Sequence, residues 1–254
     1  TLCAQTKLHD LIRVSEITTV IYSPEQANQL TTGKWLPLLS LPGYLQVRPD
    51  HPIVDTPYIK APERQVDHWR QKLAAEQQPI IGINWSGTLR PAPSGKTEDW
   101  RSLPLEAFAP IVKTTTVTLL SLQKGHGSEQ LADCSFLHRF VGCQEDVNQT
   151  WDFVETAAII ANCKLVVTSD TAVAHLAAGM GHPAWLLLVK TPAWRWGVEG
   201  ERSFWYPSMR LFRQREQGNW TEAMERVATA LAALLRGLTY LTIQGRQEAG
   251  GGRL

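Results

Sequence analysis

The 254-residue sequence has no long apolar run, and no segment approaches the roughly 18 apolar residues that a membrane helix needs. Its formal net charge is only +1, and the lysines and arginines are scattered along the chain. Binding to nucleic acid through massed phosphate neutralisation is therefore not expected. The N-terminus also lacks the charged-then-apolar pattern of a signal peptide, so the sequence predicts a cytoplasmic protein without a membrane span.

Several chemical signatures are missing as well. There is no G-x-G-x-x-G and no P-loop lysine motif, which disfavours an ordinary dinucleotide or P-loop fold. No D-x-D pair occurs, so no divalent-metal diphosphate site is expected, and the absence of G-x-S-x-G argues against an α/β-hydrolase. The cysteines lack metal-ligand spacing and are expected to be free thiols in a reducing compartment. They are Cys3, Cys134, Cys143 and Cys163.

The most informative stretch that is present covers residues 165–188, LVVTSDTAVAHLAAGMGHPAWLLL. An apolar run at 165–167 ends in polar residues, and a helix of small residues is predicted from about Thr171 to Met180. Gly181 ends that helix, and a second apolar run begins at Ala184. The pattern is strand, polar turn, helix and strand.

In an open parallel sheet, ligands bind at the carboxyl ends of the strands, where this polar turn falls. A helix that begins there offers unpaired N–H groups and the positive end of its dipole to an anion. The stretch therefore predicts a binding site for a phosphorylated small molecule. Its candidate residues are Ser169, Asp170, Thr171, Ala172 and His175.

Two further loops are expected at the same edge. The first runs from Trp85 to Ser102, and it contains Ser86, Gly87 and three basic residues that could neutralise a phosphate. Those basic residues are Arg90, Lys96 and Arg101, of which Arg101 is favoured because it adjoins the next helix start. The second loop, residues 123–125, contributes Lys124, although an ordinary strand-to-helix turn would explain it equally well.

A fourth candidate follows the apolar run at 184–188. Lys190 lies directly after that run, and the aromatic segments 194–196 and 205–207 come next. Large rings in loops can cover a base or a sugar by stacking, so Trp194 is included among the candidate binding residues. The same rings could instead cover hydrophobic surface.

Apolar and helical patterns alternate about six times and predict an α/β fold with a doubly wound parallel sheet. The expected helices cover residues 63–76, 104–112, 151–161 and 219–235, and the last of them has a capping-box-like start at Asn219. The other expected strands cover residues 80–85, 117–122, 140–141 and 209–212. Three regions are predicted: a partial N-terminal α/β segment and connector (1–61), a Rossmann-like α/β domain that carries the ligand site (62–236) and a flexible tail (237–254). The chain begins at Thr1 without Met, which suggests a fragment.

The segment 169–178, with Gly181-His182-Pro183, resembles the donor-site segment of heptosyltransferase-like glycosyltransferases of family nine. It is more similar still to the glycosyltransferase domain that follows tetratricopeptide repeats in bacterial proteins. The resemblance covers about residues 34–235. Five further segments follow the family pattern in order: Ile83-Asn84-Trp85-Ser86-Gly87, Arg101-Ser102-Leu103-Pro104-Leu105, Ser121-Leu122-Gln123-Lys124-Gly125, Trp194-Arg195-Trp196 and Trp205-Tyr206-Pro207-Ser208-Met209-Arg210-Leu211-Phe212-Arg213.

This resemblance implies a GT-B arrangement of two facing Rossmann-like domains, the C-terminal one holding a nucleoside-diphosphate sugar as donor substrate, with no cofactor. Asp170, Thr171 and His175 would contact the sugar and diphosphate, and Arg101 would take the place of a basic phosphate-binding residue. The reaction implied is metal-independent, inverting glycosyl transfer to an unknown acceptor. Upstream tetratricopeptide repeats are an implied partner, although the chain itself shows no 34-residue period.

The chain departs from the family at its start. Members open with a Gly-rich turn and supply an acidic general base from the N-terminal domain, and nothing before Lys34 matches that turn. Asp10 and Glu16 lie in another context. Two alternatives therefore stay open: a non-catalytic nucleotide-sugar-binding or scaffold module of a larger repeat protein, and a nucleotide-sugar epimerase, whose catalytic carboxylates find no place in the sequence.

Overall fold

The computed structural model describes residues 1–18, 20–48, 50, 57–88, 90–91, 97–98 and 101–237. Its main sheet has five strands in the order β6-β3-β7-β8-β9, and all four neighbouring pairs are parallel. The nine strands are β1 Leu2–Cys3, β2 Ile21–Tyr22, β3 Ile80–Asn84, β4 Arg90–Pro91, β5 Thr97–Glu98, β6 Thr118–Ser121, β7 Leu165–Ser169, β8 Ala184–Leu188 and β9 Met209–Arg213.

Helices cover both faces of this sheet. In the described part of the chain they are α1 His9–Val14, α2 Pro24–Ala27, α3 Leu41–Tyr44, α4 Glu63–Lys72, α5 Ala109–Thr114, α6 Gln144–Asn148, α7 Phe153–Ala161, α8 Ala172–Gly179 and α9 Trp220–Leu235. One buried cluster joins α4, α7 and α8 to one face of the strands, and a second joins α5 and α9 to the other. The predicted doubly wound α/β fold is confirmed. None of the described helices combines the length and apolar character needed to cross a bilayer.

The central strands of the sheet are mostly continuous apolar runs, as is typical of strands that are buried on both faces. Every residue of β3, β7 and β8 is buried. Successive side chains point to opposite faces, so Ile80 and Val166 join the α4–α7–α8 cluster while Ile81 and Val167 join the α5–α9 cluster.

The chain reverses its direction of travel across the sheet between β3 and β7. From β3 it passes to β6 on one side through α5, and from β6 it returns through α7 to β7 on the other side of β3. The helices that follow β3 and β7 therefore lie on opposite faces. Such a point leaves a crevice outside the carboxyl ends of the two strands, which is where ligands bind in open α/β sheets.

The N-terminal segment packs against the same face as α7. Strands β1 and β2 form a two-stranded parallel sheet. Leu11 of α1 is 6% exposed and belongs to the buried cluster that contains Trp69 and Leu73. The connector reaches the end of α8, where the amides of Tyr58 and Ile59 both donate to the carbonyl of Gly179.

Some element ends differ from the sequence predictions for local reasons. Helix α7 begins at Phe153 rather than at 151, because the carboxylate of Asp152 accepts the amide of Glu155 and fixes Asp152 as the N-cap. Asn219 caps α9 through the amide of Thr221, but the Glu222 carboxylate pairs with Arg226, so the expected capping box does not form.

Other predicted segments differ or cannot be placed. The helix expected over 104–112 is a 3-10 turn, Leu105–Phe108, followed by α5. The strand expected at 140–141 is reduced to one bridge between Leu119 and Phe140. The predicted flexible tail lies, from residue 238 onward, outside the described residues, and so does Lys96.

Candidate functional site

A cavity of about 670 Å³ opens at the carboxyl edge of the sheet, over the crevice between β3 and β7. The loops after β3, β6 and β7 line it, together with the start of α7, Lys7 and Arg195. Eight predicted site residues lie in its wall: Ser86, Gly87, Arg101, Lys124, Asp170, Thr171, Ala172 and His175. The three loops that were expected to meet at this edge of the sheet therefore lie together, although they are far apart in sequence.

Three predicted site residues lie outside the cavity lining. Ser169 is fully buried, and its hydroxyl has no hydrogen-bond partner among the described residues. Lys190 is exposed beyond the end of β8. Trp194 is 62% exposed and contacts Trp205 edge-on, with 6.3 Å between the ring centroids. The aromatic segment therefore does not present Trp194 to the cavity.

The N-terminus of α8 faces the cavity without a side-chain cap. Thr171 is the N-cap residue, but its hydroxyl donates to Oδ1 of Asn84 at 2.8 Å instead of accepting from its own helix. The backbone amides of Ala172 and Val173 have no acceptor among the described residues, and both residues line the cavity. The helix therefore offers its first amides and the positive end of its dipole to whatever occupies the space.

Arg101 lies beside this helix end. Its guanidinium donates to the carbonyl oxygen of Asp170 at 3.0 Å, and it lies 4.0 Å from the Asp170 carboxylate. Gly87 fits between two cavity residues, since a Cβ there would lie 3.6 Å from the Arg101 guanidinium and 3.7 Å from Thr171. Because the side chain of Asp170 is 6% exposed and that of Arg101 18% exposed, the attraction between them is screened only weakly.

Gln123 joins the loops after β3 and β6, and sequence reasoning did not single it out. Its carbonyl oxygen accepts from the side chain of Asn84 and from the amides of Trp85 and Ser86. Its amide group donates to the carbonyls of Ser86 and His126. Gln123 is 3% exposed, so these bonds form away from water and hold the two loops in one geometry.

Lys124 follows Gln123 and lies half-buried in the cavity wall. Its ammonium donates to the carbonyl of Val147. Burial lowers the pKa of Lys124 to about 8, while the nearby Glu145 carboxylate acts in the opposite direction. The side chain is therefore a cation at neutral pH whose charge is lost under mildly alkaline conditions.

His175 lies one turn into α8 and lines the same cavity. Its Nδ1 is 2.9 Å from the hydroxyl of Tyr206, and its ring stacks on Trp196 with 5.2 Å between centroids. Burial lowers the pKa of His175 below its usual value, although the Asp170 carboxylate opposes this effect. The imidazole is consequently neutral at pH 7. Tyr206 lies in one of the aromatic segments that could cover a base or a sugar, but it contacts His175 and does not line the cavity.

The far wall of the cavity comes from segments that the sequence analysis did not select. Trp151 and Phe153 at the start of α7 line it, and Lys7 lies over the Phe153 ring at 5.9 Å. Trp151 is 71% exposed. The cavity thus combines Arg101 and the unpaired amides of α8 on one side with aromatic surface on another. Within the part of the chain that the structure describes, no group of three or more His, Cys, Asp or Glu side chains could hold a metal ion.

The fold and the cavity define an open α/β protein with a crevice suited to an anionic ligand. Residues 70–237 match the family model described as Glycosyltransferase family 9 (heptosyltransferase). The match spans most of the sequence, and the chain belongs to this family.

Three relatives give the scale of the similarity. Protein FlbA of Caulobacter vibrioides is 28% identical over 180 residues, which cover 68% of this chain and 28% of FlbA. ADP-heptose lps heptosyltransferase II of E. coli is 16% identical with a TM-score of 0.48, and the match covers 72% of this chain and 56% of that structure. A family 9 glycosyl transferase from Veillonella parvula is 13% identical with a TM-score of 0.46, at 72% and 54% coverage. The chain thus spans little more than a quarter of FlbA and just over half of each solved structure.

Proposed function

We propose that this chain binds a nucleoside-diphosphate sugar in the cavity and serves as the donor half of a metal-independent, inverting glycosyltransferase. One observation carries the proposal: the uncapped N-terminus of α8 opens into the cavity beside Arg101. A diphosphate placed there would accept from the amides of Ala172 and Val173 and would lie next to a guanidinium.

The charges around this position support an anionic ligand. Arg101 lies beside the helix end, and Lys7, Lys124 and Arg195 line the same cavity. Two carboxylates, Asp152 and Asp170, also line it. Asp152 is occupied as the cap of α7. The cations thus outnumber the carboxylates, which favours a ligand with two or more negative charges.

Asp170 has a different proposed role from that of the cations. A carboxylate would repel a diphosphate, but it is a strong acceptor for hydroxyl groups. Arg101 lies close enough to offset part of its charge. We therefore propose that Asp170 accepts hydrogen bonds from the sugar while the amides of α8 hold the diphosphate.

The proposed chemistry is a single displacement. An acceptor hydroxyl attacks the anomeric carbon from the side opposite the diphosphate, the glycosidic bond forms as the carbon–oxygen bond to the diphosphate breaks, and the acceptor proton passes to a base. Negative charge then grows on the departing diphosphate. Fixed amides and Arg101 would stabilise that charge without having to reorganise during the reaction.

The test is a calorimetric titration of the chain with ADP, GDP, UDP, CDP and dTDP in the presence of EDTA. The expected result is saturable binding of at least one of them, unchanged when magnesium replaces EDTA. Absence of binding by all five would overturn the proposal, and binding only with magnesium would overturn its metal independence.

Transfer is tested separately from binding. The corresponding sugar nucleotides are incubated with the whole protein and with extracts that supply acceptors, and release of the nucleoside diphosphate is followed. Release that depends on the acceptor supports the enzyme. Tight binding without release in any extract would favour the non-catalytic nucleotide-sugar-binding module.

A further inference from the structure

We propose that Tyr206 is a positioning residue that holds His175 as the tautomer with its proton on Nε2, so that the imidazole donates a hydrogen bond into the cavity. The inference rests on the proposed function for the identity of the ligand. The tautomer that His175 adopts in the free protein is inferred independently of the proposed function.

The geometry fixes one nitrogen of the ring. Nδ1 of His175 lies 2.9 Å from the Tyr206 hydroxyl, and the stacked ring of Trp196 restricts rotation of the imidazole. His175 lines the cavity, and the only hydrogen bond that its ring makes to the described residues is the one at Nδ1. The nitrogen that Tyr206 leaves unused is therefore available to a ligand.

The direction of the hydrogen bond follows from the chemistry of its two groups. A phenol is a good donor and a weak acceptor, because its oxygen lone pair is delocalised into the ring, whereas the bare nitrogen of a neutral imidazole is a good acceptor. Tyr58 completes the arrangement, since its hydroxyl lies 3.4 Å from that of Tyr206 and can donate to it. Because Tyr58 is 40% exposed, its hydroxyl oxygen can in turn accept a hydrogen bond from water.

The surrounding groups support the same assignment. Burial and the neighbouring Tyr58 raise the pKa of Tyr206, so its hydroxyl keeps its proton and remains a donor. Burial lowers the pKa of His175, so the ring carries one proton rather than two. When Tyr206 occupies Nδ1 as a donor, that single proton must be on Nε2.

This arrangement supplies a neutral donor at a place where a cation would be costly. Arg195 and Arg101 already line the cavity, and a charged imidazole would add to their mutual repulsion. A neutral N–H at Nε2 can donate to a phosphate oxygen or a sugar hydroxyl without that repulsion. Tyr206 thereby affects the ligand without touching it.

The experiment reads the tautomer directly by NMR of the full chain labelled with nitrogen-15 in histidine, and the His175→Gln variant assigns the His175 signals. The expected wild-type spectrum shows a protonated Nε2 and an unprotonated Nδ1. The expected spectrum of Tyr206→Phe shows exchange between the two tautomers. Tyr44→Phe removes the hydroxyl of a residue that is 74% exposed, and it should match the wild type.

A proton on Nδ1, or exchanging tautomers in the wild type, would overturn the inference even if Tyr206→Phe did not fold. An unchanged tautomer in a folded Tyr206→Phe would also overturn it. In a second arm, ADP is titrated into the same variants, and Tyr206→Phe should weaken its binding about 3- to 10-fold. Equal ADP affinity in wild type and Tyr206→Phe would overturn the role in binding. If the wild type binds no nucleoside diphosphate, the proposed function fails while the tautomer result stands.

Discussion

The hydroxyl of Thr171 donates to Oδ1 of Asn84 at 2.8 Å, across the crevice between β7 and β3. Thr168 donates to the same oxygen at 3.1 Å, and the amide group of Asn84 donates to Gln123 at 2.8 Å. One buried amide therefore connects the carboxyl ends of β3 and β7 with the loop after β6. Because Thr171 is held in this way, it does not cap its own helix, and the first amides of α8 remain available.

Replacement of Asn84 should destabilise the fold. Asn84→Ala removes the hydrogen bonds that join its side chain to Thr168, Thr171 and Gln123. Asn84, Thr168 and Gln123 are all nearly inaccessible to water, so water does not replace these bonds readily. We expect a loss of about 2–3 kcal/mol in the free energy of unfolding, measured by urea denaturation. Asn28→Ala, at an exposed position, is the control and should change stability by less than about 0.5 kcal/mol. Equal midpoints for both variants would contradict this role for Asn84.

Arg101 should contribute strongly to diphosphate binding. Arg101→Ala is expected to weaken the binding of a nucleoside diphosphate by about 10- to 100-fold, because a charge-assisted hydrogen bond in a partly buried site is lost. The affinity of Arg101→Lys should lie between those of the wild type and Arg101→Ala, because lysine keeps the positive charge but lacks the planar guanidinium group. Arg70→Ala alters an exposed ion pair on α4 and should bind like wild type. Calorimetry in which Arg101→Ala retained full affinity would exclude Arg101 from the site.

Lys124 should make ligand binding sensitive to alkaline pH. Its pKa of about 8 means that the ammonium is charged below pH 8 and neutral above it. Affinity for a fully ionised diphosphate should therefore fall as the pH rises through about 8. Lys124→Arg stays charged and should bind equally well across this range, whereas Lys124→Met should bind weakly throughout. A wild-type affinity that does not vary with pH would show that the Lys124 charge does not act on the ligand.

His182 should make the fold sensitive to acid. Its Nε2 is buried and has no hydrogen-bond partner in the described part of the chain, and burial lowers the pKa of His182 to about 4. The unfolded chain takes up this proton near pH 6.5 while the folded chain does not, so stability declines as the pH falls from about 6.5 to about 4. The upper limit for this decline is about 3 kcal/mol. His182→Gln should flatten the slope of stability against pH, and His138→Gln, at an exposed position, should leave it unchanged.

The sequence predicts the strands of the sheet well because each is an apolar run bounded by turn residues. β7 and β8, for example, lie where residues 165–188 place them. It does not specify which strands are neighbours, because a local pattern contains no information about the pairing of β3 with both β6 and β7. Helix ends were less accurate since single side chains such as Asp152 determine them.

The sequence predicts the part of the candidate site that comes from loops at one edge of the sheet. It predicts less well which residues of those segments face the cavity and which residues far apart in sequence contact each other. Ser169 is the last residue of β7 and remains inside the sheet, so only the following residues reach the cavity. Tyr206 lies 31 positions from His175, and no spacing rule connects them. Lys7 reaches the cavity only because the N-terminal segment packs beside α7.

The central claim is that the amides at the start of α8 hold the diphosphate, and Ala172→Pro tests it most directly. Ala172 is the first residue of the helix, where proline is tolerated, and Thr171 before it is already extended at φ −131° and ψ 176°. The change therefore removes one N–H while keeping the helix. Ala172→Ser retains the N–H and is the matched control.

Calorimetric titration of both variants with the nucleoside diphosphate that binds the wild type decides the matter. The account predicts that Ala172→Pro binds about 5- to 10-fold more weakly than Ala172→Ser at equal thermal stability. Equal affinity in the two variants would contradict it.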